Sequence, residues 1–107
     1  MDDEELVRVL KALAHPKRFR MVQEIAEAGE LSCGEIGDCF AVAQPTISHH
    51  LKILTDAGVL LVKREGQHGL CSLNRELIEQ AVAVLPGRLF PAAPRAAARG
   101  RARKARR

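Results

Sequence analysis

No stretch of this sequence approaches the roughly 18 to 20 consecutive apolar residues that a membrane-spanning helix needs. Its opening residues, Asp2, Asp3, Glu4 and Glu5, are acidic where an export signal has a basic flank. These two absences predict a soluble cytoplasmic protein with no membrane contact. Cysteine is scarce and odd in number, Cys33, Cys39 and Cys71, which argues against a disulfide framework and for reduced thiols. No segment combines a nucleophile, a base and an orienting group, and there is no glycine-rich phosphate loop, so an enzyme is not expected. Internal repeats are missing as well.

Acidic residues are also missing from one end of the chain. Residues 88–107 carry eight basic side chains and no acid, whereas residues 1–87 carry nine basic against thirteen acidic, a net of −4. The formal charge of +4 therefore says little about the folded part. An Ala/Arg/Pro segment with few large apolar residues does not pack a core. The expected organisation is one domain over residues 1–87 and a basic, disordered tail over residues 88–107. Two readings of the tail stay open: Arg95 to Arg107 adds non-specific phosphate affinity, or the segment is only a solubilising end. With 47% apolar content in 107 residues, the domain is near the size at which a single core is marginal and a second copy helps.

What is present reads as helices followed by a hairpin. Leu6, Val7, Val9, Leu10 and Leu13 repeat at helical spacing behind an acidic first turn, predicting a helix from about Asp3 to Leu13. Pro16 starts a second, which carries Phe19, Val22, Ile25 and Ala26 and stops at Gly29. Ser32 with Glu35 forms a capping box for a short helix over Cys33 to Phe40, weakened by Gly34 and Gly37. Pro45 lies in the first turn of a fourth helix, residues 44–57, whose apolar stripe is Ile47, Leu51 and Leu54 and which ends at Gly58. Val59 to Lys63 and Leu70 to Leu73 read as two strands joined through Glu65 to Gly69. Asn74 caps a last helix with Leu77, Ile78, Ala81, Val82 and Leu85, closed by Pro86 and Gly87. The order α-α-α-α-β-β-α predicts a mainly α fold with a β-hairpin wing, a winged helix-turn-helix that works as a dimer.

In that arrangement the second helix of the helix-turn-helix offers its N-terminal residues to base edges in the major groove of double-stranded DNA. Glutamine pairs with adenine and hydroxyls serve either base, so Gln44, Thr46, Ser48 and His49 are the candidate readers, with Lys52 one turn further on against phosphate. His50 points about 100° away from His49, which suits one DNA contact and one packing or phosphate contact. Lys63, Arg64, Gln67 and His68 in the hairpin reach flanking phosphates or the minor groove. The plainer alternatives are a solvated polar face and an ordinary hairpin; the order of the elements favours DNA.

The run Leu10 to Arg18, Leu-Lys-Ala-Leu-Ala-His-Pro-Lys-Arg, and the run Gln44 to Leu54, Gln-Pro-Thr-Ile-Ser-His-His-Leu-Lys-Ile-Leu, resemble the ArsR/SmtB winged-helix repressors. The likeness extends through the "Ala-Gly-Val-Leu…Arg-Glu-Gly" opening of the wing and covers about residues 5–80. It implies a homodimeric transcriptional repressor, closed by the first and last helices, that holds a palindromic operator and lets go when an inducer binds. The stripes Leu6, Leu10, Leu13 and Ile78, Val82, Leu85 agree with this, since they exceed what one small domain needs; they are the expected dimer interface. Two-fold symmetry then spaces the half-sites by about one DNA turn.

Members of that family sense arsenite or a divalent metal. Where arsenite sensors carry a Cys-x-Cys pair at the start of the third helix, this chain has Ser32-Cys33-Gly34. Where zinc or nickel sensors carry Asp, His and Glu ligands on the last helix, Arg75 to Leu85 holds no histidine, which disfavours a metal there. Cys33 and Cys39 lie six positions apart, about 9 Å of helical rise, too far to share a ligand unless the helix unwinds. Two readings stay open: Cys33, with Cys39 or a cysteine of a second subunit, senses arsenite, antimonite, another thiophilic species or an oxidant; or Cys39 packs in the core, Cys33 is incidental and Cys71 is a strand residue. Beyond DNA-binding repression with release, the alternatives are a winged helix that binds protein and a constitutive, metal-independent repressor. A protein-binding surface would favour apolar residues at Thr46, Ser48 and His49.

Overall fold

The computed structural model describes residues 1–66 and 68–93. In chain order the elements are α1 (Asp3–Leu13), α2 (Pro16–Ala28), β1 (Glu30–Ser32), α3 (Cys33–Asp38), α4 (Gln44–Asp56), β2 (Leu60–Glu65), β3 (His68–Leu73) and α5 (Arg75–Leu89). Local chemistry accounts for most of the boundaries. Asp2 and Glu5 close a capping box over α1, with the Asp2 carboxylate accepting from the Glu5 N–H at 2.8 Å. His15 caps α2 through Nδ1, which accepts from the Lys17 N–H at 3.1 Å, and Pro16 fills the first turn. The Ser32/Glu35 box opens α3 as expected. Gly29 and Gly58 end α2 and α4 with φ of +89° and +84°, values a Cβ would oppose.

The three strands form one antiparallel sheet in the order β1-β3-β2. β2 and β3 are the wing hairpin, paired from Leu60↔Leu73 at its base to Glu65↔His68 at its tip. β1 lies against the other edge of β3 in the register Glu30↔Ser72, Leu31↔Cys71 and Ser32↔Leu70. The core is drawn from every helix and from the base of the sheet: Val9, Met21, Ile25, Ile36, Ile47, Leu54, Val59, Leu60 and Cys71 are all but inaccessible to water.

Beyond the two wing strands, which run on to Glu65 and begin at His68, three features differ from the sequence reading. β1 is an additional strand, so the order is α-α-β-α-α-β-β-α. The third helix stops at Asp38, not Phe40, because the Cys39 and Phe40 N–H groups turn back to the Ile36 and Gly37 carbonyls at 3.0 and 3.3 Å. The last helix continues to Leu89, past the stop expected at Pro86 and Gly87. Proline removes one helical donor near an exposed end, where the loss is small. Arg88 compensates by pairing with Asp3 and donating to the Met1 carbonyl at 2.6 Å, which ties the end of α5 to the start of α1. The remainder of the basic tail, from residue 94, lies outside the described residues, as does Gln67 at the wing tip.

Candidate nucleic-acid interface

α3 and α4 pack as a helix-turn-helix, with the Gln44 side chain of α4 lying over Gly37 of α3. α4 has two faces of opposite character. Ile47, His50, Leu51 and Leu54 are buried, whereas Gln44, Thr46, Ser48, His49 and Lys52 are exposed. Gln44, Ser48 and Lys52 stand at i, i+4 and i+8 and form one stripe, with His49 about 100° round from Ser48 and Thr46 further round the helix. No large apolar side chain interrupts this surface. Apart from Pro45, every exposed side chain from Gln44 to Lys52 is a donor, an acceptor or both.

The wing supplies further cations. Beyond Leu60 every residue of β2 is exposed on both faces, so the hairpin projects from the body, carrying Lys63 and Arg64 outward with His68 across from Glu65. Lys52 pairs with Asp56 at 3.0 Å and Lys63 with Glu65 at 3.6 Å. All four side chains are solvated, and exposed pairs of this kind contribute only a few tenths of a kcal/mol, so both lysines can exchange a carboxylate for a phosphate at little cost.

His50 departs from the expected DNA-contact role. At 7% exposure it is a core residue, and it is held by the segment that carries the other half of the family likeness. Arg18 donates through Nε to the Ala12 carbonyl at 2.7 Å and through Nη2 to the Lys11 carbonyl at 3.2 Å, satisfying the end of α1. Its Nη1 lies 3.4 Å from His50 Nδ1, and the His15 ring stacks on His50 at 4.7 Å between centroids, tilted by 50°. His15, Arg18 and His50 thus clasp α1, α2 and α4 together. Burial, then His15, Arg18, His49 and Lys17 in that order, hold the His50 pKa below its ordinary value, so the ring stays neutral and its Nδ1 can accept from Arg18. The sequence reading left one of the two histidines a packing role, and the structure assigns it to His50, which stands three residues after Ile47 and four before Leu54, in line with the apolar stripe.

The expected dimer surface divides. Leu6 is a correction: at 4% exposure it packs in the chain's own core, and Val7 beside it is the residue that faces outward, at 47%. Leu13, Ile78 and Leu85 are half-buried against the core, while Leu10 and Val82 are exposed. Leu89 and Phe90, assigned to the tail by sequence, are exposed at the end of α5.

Among the cysteines, the reading that packs Cys39 in the core is corrected. Cys39 is exposed past the end of α3, its sulfur directed at the Glu35 carbonyl at 3.4 Å. Cys33 is half-buried at the start of α3, two residues past Leu31, which pairs with Cys71 of β3. Among the described residues, no group of three or more His, Cys, Asp or Glu side chains is placed to hold a metal ion, and no helix is long and apolar enough to cross a membrane.

Comparison with known proteins agrees with this geometry. Residues 13–63 match the model of a helix-turn-helix domain. The transcriptional repressor SdpR of Bacillus subtilis is 35% identical over 69% of this chain and 81% of its own length. An arsenical resistance operon repressor of Staphylococcus xylosus is 32% identical over 74% of this chain and 75% of its own. Among solved structures, an ArsR-like transcriptional regulator from Rhodococcus sp. RHA1 superposes with a TM-score of 0.72 at 20% identity, over 80% of this chain and 79% of that one, a likeness of fold. The sequence matches, the winged helix-turn-helix and the polar outer face of α4 agree, and the chain belongs to the ArsR family of DNA-binding helix-turn-helix transcriptional regulators, which are not enzymes.

Proposed function

We propose that the protein is a homodimeric repressor that holds a palindromic operator by the outer face of α4 and releases it when a thiophilic species reaches its cysteines. The observation that carries the DNA reading is the exposure of the polar side chains Gln44, Thr46, Ser48, His49 and Lys52 on the second helix of the helix-turn-helix. Gln44 and Ser48 read base edges, Lys52 meets phosphate, and Lys63, Arg64 and His68 hold the flanking backbone. Dimerisation is supported by the apolar groups that α1 and α5 leave in water, Val7, Leu10 and Val82, the last at 67% exposure. A thiol-linked release is supported by the relatives named for arsenical resistance and by the three reduced cysteines around α3 and β3. The work is done in the cytoplasm, where the operator is.

The test is a gel-shift titration on the protein's own promoter fragment, repeated with arsenite, antimonite, zinc, cadmium and peroxide, beside sedimentation of the free protein. A dimer that binds this fragment better than a scrambled one and is released by a thiophilic agent agrees with the proposal. A monomer, or equal affinity for both fragments, overturns it.

A further inference from the structure

The sequence separates Cys33 and Cys71 by more than thirty positions, and the sheet brings them together. β1 pairs with β3 so that Leu31 stands opposite Cys71, and Cys33 follows two residues later, where the chain leaves the strand and turns into α3. Its side chain packs against the core cluster to which Cys71 belongs, while Cys71 itself is 1% exposed. One thiol is thus reachable from solvent and the other waits behind it. Cys39, the remaining cysteine, is exposed past the far end of α3, with its sulfur directed at a backbone carbonyl.

We propose that Cys33 and Cys71 are a redox pair that closes to an intramolecular disulfide under a peroxide-class oxidant and thereby lowers operator affinity. The proposal rests on the repressor reading for its effect on DNA, but not for the chemistry. The Cys33 thiolate attacks one peroxide oxygen; the O–O bond breaks, and the leaving hydroxide takes a proton and departs as water. The Cys71 thiol then gives up its proton and attacks the resulting sulfenic sulfur; the S–O bond breaks and a second water leaves. Two thiols lose two electrons, and the peroxide is reduced to two waters. The order follows from access, and burial, followed by the charge of Cys33 and a hydrogen bond with it, pushes the Cys71 thiol up to about 11, which suits the residue that acts second.

The structural consequence follows from the two elements joined. Bonding requires the two sulfurs to close to about 2.05 Å, a movement of the two elements toward each other. It is taken up between α3, which supports α4, and β3, which carries the wing. The two DNA-contacting parts are therefore pulled out of their relative positions by a single bond.

The experiment treats the reduced full-length protein with hydrogen peroxide and reads two outputs. Peptide mapping without reductant locates any disulfide, and anisotropy on the promoter fragment follows affinity before and after thiol reductant. The expected result is a Cys33–Cys71 cross-link, an affinity loss of tenfold or more reversed by reductant, and loss of the response in Cys33→Ser and Cys71→Ala but not in Cys39→Ser. A cross-link through Cys39 or between chains, oxidation of Cys33 without Cys71, or a Cys33–Cys71 bond that leaves affinity unchanged overturns the proposal. If the reduced protein shows no preference for its promoter, the repressor reading fails; mapping still decides whether the disulfide forms.

Discussion

The two faces of α4 are built from neighbouring residues and do opposite work. Ile47, His50, Leu51 and Leu54 are withdrawn from water and fix where the helix lies; Gln44, Ser48, His49 and Lys52 are left in water and contribute little to holding it there. The contrast is sharpest at His49 and His50, adjacent in sequence and about 100° apart around the axis. One is exposed and the other sits beneath Arg18 and His15. A recognition helix can therefore vary its outer face freely, because stability and specificity are carried by separate side chains.

That separation can be broken from either side. The largest effect is expected for Leu54→Ala, which opens a cavity at a fully buried position and should cost about 2–5 kcal/mol, read as a fall in the denaturant midpoint. Arg18→Ala removes charged hydrogen bonds to the Ala12 and Lys11 carbonyls and the contact with His50, and is expected to cost about 1.5–3 kcal/mol by the same measurement. On the outer face, Gln44→Ala should leave the midpoint in place and lose about 1–3 kcal/mol of discrimination at one base pair. Lys52→Ala should weaken binding to all sequences alike and reduce the slope of log affinity against log salt by about one.

His50 sharpens the comparison through pH. Its folded pKa lies below the unfolded 6.5, so the unfolded chain binds the proton more readily. The stability contributed by the neutral ring is complete above about pH 6.5 and is lost as the pH falls toward and through the folded pKa. His50→Gln, which does not titrate, should flatten the dependence of melting temperature on pH in that interval. His49→Gln, which removes only one of the smaller causes of the lowering, should change it less.

Much of this is legible in the sequence because it rests on local chemistry. The Ser32/Glu35 box, Pro16, Gly29 and Gly58 mark helix ends through interactions within a few residues, and the spacing of Ile47, Leu51 and Leu54 gives the buried face of α4. What sequence reasoning misses depends on distant partners. β1 is three residues long and exists only through its register with β3, too short for any alternation to show. Pro86 reads as a stop, yet the anchor that carries α5 onward is Arg88 meeting Met1 and Asp3 at the other end of the chain. Cys39 is the nearer cysteine to Cys33 along the chain, and only the β1–β3 pairing brings the start of α3 alongside Cys71. His50 is a different case, since its place on the apolar stripe is visible in the spacing and is masked by its polar side chain.

The most direct test of the division of labour on α4 is one pair of titrations run beside one pair of melts, comparing wild type with Ser48→Ala on the promoter fragment and on a scrambled duplex. The account predicts reduced promoter affinity, unchanged affinity for the scrambled duplex and superimposable melting curves. Promoter affinity equal to wild type, or a lowered melting temperature accompanying its loss, would contradict it.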